Sequence, residues 1–142
     1  MTLVSPVKIA SVMALTPLPR SLGELDDRVR GGLPMSALLA VVERIARTPG
    51  EHRNLLVCIA PEANFKGWRE WLSPNESEKA GRLASIFAMC EYVWDSETDA
   101  REFLATPHAL LDGRTPLAVS MTELGARRVE ELLGKLFFGI PS

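Results

Sequence analysis

Few residues in this sequence combine the type and the spacing that chemistry needs. His52 and His108 lie far apart, and neither has a Cys, His or Glu at ligand spacing, so no metal site is expected. Cys58 and Cys90 sit inside apolar runs and form no Cys-x-x-Cys pair. Both read as reduced core thiols, with a disulfide between them as the alternative. Gly31-Gly32 precedes a helix, but the pattern of a phosphate-cradling loop is missing around it, so the pair reads as a hinge. Ser120 and Cys90 lack a nearby His and Asp set for nucleophilic catalysis. The expectation is a protein with no catalytic residue, no metal and no cofactor, one that is not an enzyme.

Residues suited to binding remain. The stretch from Pro34 to Leu72 reads as three short helices, a layout compatible with a helix-turn-helix. Its reading helix would present Asn64, Lys66 and Arg69, and Asn and Arg are the side chains that pair bidentately with adenine and guanine. Against a DNA role stand the low density of basic residues and the space that Trp68 and Trp71 occupy. The far end ends in Phe137-Phe138-Gly139-Ile140-Pro141-Ser142. Two adjacent phenylalanines on a helix cannot both face one core, so an exposed aromatic is expected there, a side chain suited to anchoring an interface.

The elements that position these residues are helical. Leu38, Val42 and Ile45 recur at helical spacing after Pro34. Thr48-Pro49-Gly50-Glu51 opens the next helix, which runs through Leu55 to Ile59, and Pro61-Glu62-Ala63-Asn64 opens another, weakened at Gly67 by about 1 kcal/mol. Ser73-Pro74-Asn75-Glu76 is the clearest start, with Ser73 as cap and Glu76 closing a capping box. That helix is predicted to reach about Trp94, with Leu83, Phe87, Cys90 and Trp94 as its core stripe. Ser96 and Asp99 start a helix that stops before Pro107. Leu110 to Gly113 is a turn, Thr115-Pro116 starts a short helix, and Thr122-Glu123 starts the last one. The last helix is expected to bury Val129, Leu132, Leu133, Leu136, Phe137 and Ile140 and to end at Gly139 and Pro141. The fold class is all-α, a compact multi-helix protein of about seven helices.

Bulk properties narrow the partners. The 142 residues suffice for one domain or two small helical subdomains, and 46% hydrophobic against 24% charged residues argues against disorder. Net charge is -2 with a pI near 5.7, unlike a protein that coats nucleic acid. Residues 1–33 and 34–72 each sum to +1 and residues 73–142 to -4. The acidic half would repel a phosphate backbone and attract a basic protein surface. No apolar stretch approaches a membrane span. Only Lys8 precedes the apolar patch Ile9–Leu15, so a secretory signal is not expected and the cytoplasm is the expected location. With Pro6, Pro17 and Pro19 around it, that patch reads as an arm, docked on the body or on a second subunit.

From Leu72 onward a set of motifs stands in order: Leu72-Ser73-Pro74 with Glu76-Ser77, a long apolar helix, then Ala100-Arg101-Glu102-Phe103-Leu104 and Pro107. It continues through Gly113-Arg114-Thr115-Pro116-Leu117, Thr122-Glu123-Leu124-Gly125-Ala126, Val129, Leu132-Leu133 and Gly139. Taken together, these motifs resemble the Xre/MbcA/ParS family of antitoxins. Residues 34–72 share the layout of the family's Xre-like domain less tightly. Phe103 stands where the family usually has Trp, and Phe65-Lys66-Gly67-Trp68-Arg69 stands where many members carry a run of arginines.

Beyond the N-terminal arm (1–33), the resemblance implies an Xre-like helix-turn-helix-like domain (34–72) and a helical toxin-binding domain (73–142). It implies an antitoxin of a type II system that neutralises a RES-domain toxin, one that degrades NAD or transfers its ADP-ribose, by occluding the NAD cleft. Arg114, Arg127, Phe138, Gly139, Ile140, Pro141 and Ser142 are then the toxin-facing residues. The Ser142 carboxylate could approach arginines that hold the NAD phosphates. A homodimer bridging two toxins is the expected stoichiometry. The competing readings are a helix-turn-helix regulator that binds its own promoter without a toxin, and a small hydrolase or transferase with an unrecognised site.

Overall fold

A computed structural model describes residues 4–61 and 70–139. Among them the fold is all-helical, as the sequence pattern predicts. In chain order the helices are α1 (Pro6–Val12), α2 (Leu22–Arg30), α3 (Met35–Ile45), α4 (Pro49–Ile59), α5 (Pro74–Trp94), α6 (Glu97–Ala105), α7 (Pro116–Val119) and α8 (Glu123–Phe138). A 3-10 turn, Ala109–Leu111, lies between α6 and α7. The expected helix from Pro61 to Trp71 falls largely on residues outside those described.

Local chemistry explains most of the boundaries. At α5 the Glu76 N–H donates to Ser73 Oγ (3.1 Å) and the Ser73 N–H donates to Glu76 Oε1 (2.8 Å), the reciprocal pair of a capping box. Thr48 caps α4 by accepting the Glu51 N–H at 3.1 Å. The Glu51 carboxylate reaches past the cap to accept from the Arg47 backbone N–H and guanidinium (2.9 and 3.0 Å). These bonds from Arg47 hold the Glu51 carboxyl below its ordinary range. Helix α6 ends at Ala105, two residues before Pro107. The expected arm is also helical: Ser5 caps α1 and Ser21 caps α2.

The chain forms two compact units. One comprises Ser5–Ala84, the other Ser85–Ser142 with Met1–Val4; α5 passes the division. In the first unit α1 packs on α2 and α3, and α3 on α4. Leu33, Leu38, Val41, Val42 and Ile59 are fully buried there. Residues 33–35 pair with 70–72: Leu72 N–H donates to Leu33 O and Met35 N–H to Glu70 O, each at 2.8 Å. The Leu33 N–H in turn donates to Ser77 Oγ on α5 at 2.9 Å, and both residues are buried. This unit carries eleven Lys and Arg against nine Asp and Glu.

In the second unit α6 packs on α7, and α8 packs on α7 and on the 3-10 turn. Its buried residues include Phe87, Cys90, Leu104, Leu111, Val129 and Leu133. Five Lys and Arg face nine Asp and Glu, so the acidity of the chain belongs to this unit.

Two sequence expectations need correction. Cys58 is exposed and only Cys90 is buried, because α4 buries the stripe Leu55, Leu56 and Ile59 and leaves Cys58 to one side. The α5 core stripe ends at Cys90. Trp94 is 38% exposed and its ring leans on Phe103 at 5.8 Å.

Candidate partner-binding surface

The corner that launches α8 is closely built. Ser120, fully buried, donates its hydroxyl to Pro116 O at 2.7 Å and closes α7. Thr122 caps α8 by accepting the Gly125 N–H at 3.0 Å. A Cβ at position 125 would overlap the Val119 carbonyl oxygen and lie 2.8 Å from Thr122 Oγ1. Only glycine lets α8 leave the corner at this angle.

From there α8 buries Ala126, Val129, Leu132 and Leu133. The same helical register continues to Leu136 and Phe137, yet these are 42% and 41% exposed, and Phe138 is 52% exposed. The apolar stripe therefore outruns its core by about one turn. This corrects the expected burial of Leu136 and Phe137. The rings form a ladder: Tyr92 of α5 lies 5.0 Å from Phe137, and Phe137 meets Phe138 edge-on at 5.1 Å and 82°. These separations suit favourable aromatic pairing. Tyr92, which the sequence patterns did not single out, is itself about half exposed. Gly139 closes α8 in the left-handed region (φ 66°), its N–H donating to Lys135 O. Glu130 and Glu131 are exposed and lie two turns before Phe137 and Phe138 on the same faces.

Next to α8 stands the 108–114 turn. His108 N–H donates to Arg114 O at 3.1 Å, and His108 Nδ1 accepts the Leu110 N–H. Asp112 and Gly113 both take positive φ. Arg128 ties the turn to α8 through Asp112 Oδ2 (3.1 Å) and Leu110 O (3.4 Å). A shallow cleft of about 140 Å³ lies between them, lined by Leu110, Leu111, Arg128, Glu131, Leu132 and Lys135.

The expected toxin-facing residues are placed unevenly. Arg114 is exposed on this turn. Arg127 is exposed on α8 and paired with Glu123 at 3.2 Å. Phe138 and Gly139 end the helix, while Ile140, Pro141 and Ser142 lie outside the described residues. So do Asn64, Lys66 and Arg69, the expected DNA contacts. No cluster of metal-ligating side chains occurs among the described residues. The Cys90 thiol is driven well above its ordinary pKa by burial, with the Glu91 charge adding to the effect; it is held as a neutral thiol, poorly suited to nucleophilic attack. No helix among the described residues is long and apolar enough to cross a membrane.

Comparison with known proteins falls on this surface. Residues 90–139 match the family model described as the antitoxin Xre/MbcA/ParS C-terminal toxin-binding domain. The matched stretch includes Tyr92, the 108–114 turn and all of α8 through its glycine cap. Antitoxin Xre of Pseudomonas putida is 28% identical over 126 residues, which span 87% of this chain and 79% of that protein.

Proposed function

We propose that this chain, whose residues 90–139 match the antitoxin Xre/MbcA/ParS C-terminal toxin-binding domain and which is similar over most of its length to an antitoxin Xre, neutralises a RES-domain toxin by seating the end of α8 at the toxin's NAD cleft. The observation that carries this reading is the apolar stripe of α8 that outruns its core. Leu136, Phe137 and Phe138 stand about half exposed inside the stretch that matches a toxin-binding domain. Aromatic side chains left uncovered in this way gain free energy when a partner removes them from water. The acidity of the same unit favours a basic partner surface, such as one that binds the phosphates of NAD. Arg114, with Phe138 to Ser142, faces the toxin; Arg127 adds a rim contact. The antitoxin acts by contact and carries out no reaction of its own.

Exposed Val7, Leu18 and Leu22 in the first unit support a homodimer that holds two toxins. A second role, binding to its own promoter, is supported by α3 and α4, which pack together across a three-residue connection, Ala46–Thr48, in the more basic unit. The test of the main reading is co-expression with a RES-domain toxin, scoring growth and co-purification on an N-terminal tag. Rescue of growth with a stable complex supports it. A toxin that stays lethal, with no complex, overturns it.

A further inference from the structure

We propose that Tyr92 is a positioning residue of the toxin-binding face: it holds Phe137, and through Phe137 it sets where Phe138 stands. The inference rests on the functional reading above and adds to it a residue that lies on a different helix, 46 positions earlier in sequence than Phe138.

Three observations lead there. Beyond Leu133 the side chains of α8 lose their cover, so core burial does not orient the last turn. The ring of Tyr92 lies 5.0 Å from that of Phe137 at an interplanar angle of 44° and ties the last turn of α8 to α5. Phe137 in turn meets Phe138 edge-on at 5.1 Å, so a displacement of the first ring moves the second. A helix end is otherwise prone to fray. Holding the anchor in place before contact lowers the ordering cost that binding must overcome. Tyr92 is the single tyrosine of the chain, and what it supplies here is an aromatic ring.

The test uses the full chain, its Tyr92→Ala and Tyr92→Phe variants, and Phe138→Ala. Amide hydrogen exchange on the free chain is read first. Tyr92→Ala is expected to speed exchange at residues 136–139 by about tenfold, with Val129 and Leu132 unchanged, and Tyr92→Phe to leave the last turn protected. Affinity for a RES-domain toxin is read next. Tyr92→Ala is expected to weaken binding about tenfold and Tyr92→Phe by less than about threefold, as a ring pair and its interface anchor would give. In a Phe138→Ala background, Tyr92→Ala is expected to add little, since the group it positions is gone. Unchanged exchange in the last turn overturns the inference without touching the functional reading. So does Tyr92→Ala binding like the unmodified chain while Phe138→Ala binds poorly. If the unmodified chain binds no RES-domain toxin, both fail.

Discussion

Gly125 lies so close to Val119 that no side chain fits between them: a Cβ on Gly125 would overlap the Val119 carbonyl oxygen. The obstacle is backbone, held by the Ser120 hydroxyl on Pro116 O and by the Thr122 cap, so it cannot rotate away. Gly125→Ala is therefore expected to destabilise the protein by about 2–3 kcal/mol, the upper part of the range for overpacking a rigid site, measured by urea denaturation. Gly134, in the same helix, has open space around its would-be Cβ. Gly134→Ala is expected to stabilise by about 0.5–1 kcal/mol through helix propensity and a less flexible unfolded chain. If the two substitutions act alike, the α7–α8 corner is not built as described.

Ser77 gives a second test of the fold. Its hydroxyl oxygen accepts the Leu33 N–H at 2.9 Å where both residues are buried. Ser77→Ala leaves that N–H without a partner, which costs about 1–3 kcal/mol. The accompanying signature is faster amide exchange at Leu33. A loss under about 0.5 kcal/mol would mean that the N–H finds another acceptor.

The thiols should differ sharply. Cys58 is exposed and Cys90 is buried, with its pKa pushed up by that burial. A disulfide-exchange reagent needs an accessible thiolate, so the native protein is expected to release one equivalent promptly at neutral pH and a second only on unfolding. Two equivalents at the same rate in the native state would contradict this placement.

How much of this could be read from the sequence depends on the range over which each feature acts. Ser73 with Glu76, Thr122 before α8, and Pro107 after α6 act over three or four residues, and their chemistry is written in their neighbours. The helical class follows from such signals. Burial is a tertiary property: Cys58 and Trp94 sit in apolar runs yet reach the surface, because their helices present only part of each run to a core. Leu136 and Phe137 keep perfect helical register with Leu132 and Leu133, and the sequence has no mark for where the core beneath them stops. The adjacent phenylalanines did signal an exposed ring. The Tyr92 contact with Phe137 joins residues 45 positions apart, and no local pattern announces it. Gly125 stood within a recognisable Thr-Glu-Leu-Gly motif, but its need for glycine lies in a carbonyl that only the folded corner brings near.

The most direct test of neutralisation is NAD consumption by a purified RES-domain toxin, titrated with the full chain and with a chain lacking Phe138 to Ser142. The full chain is expected to extinguish turnover at a stoichiometric ratio. The shortened chain is expected to leave turnover within about twofold of the free toxin, with its helical circular dichroism unchanged, as the loss of a dominant interface anchor predicts. A shortened chain that inhibits as well as the full one, or a full chain that binds the toxin and leaves NAD turnover intact, would contradict the account.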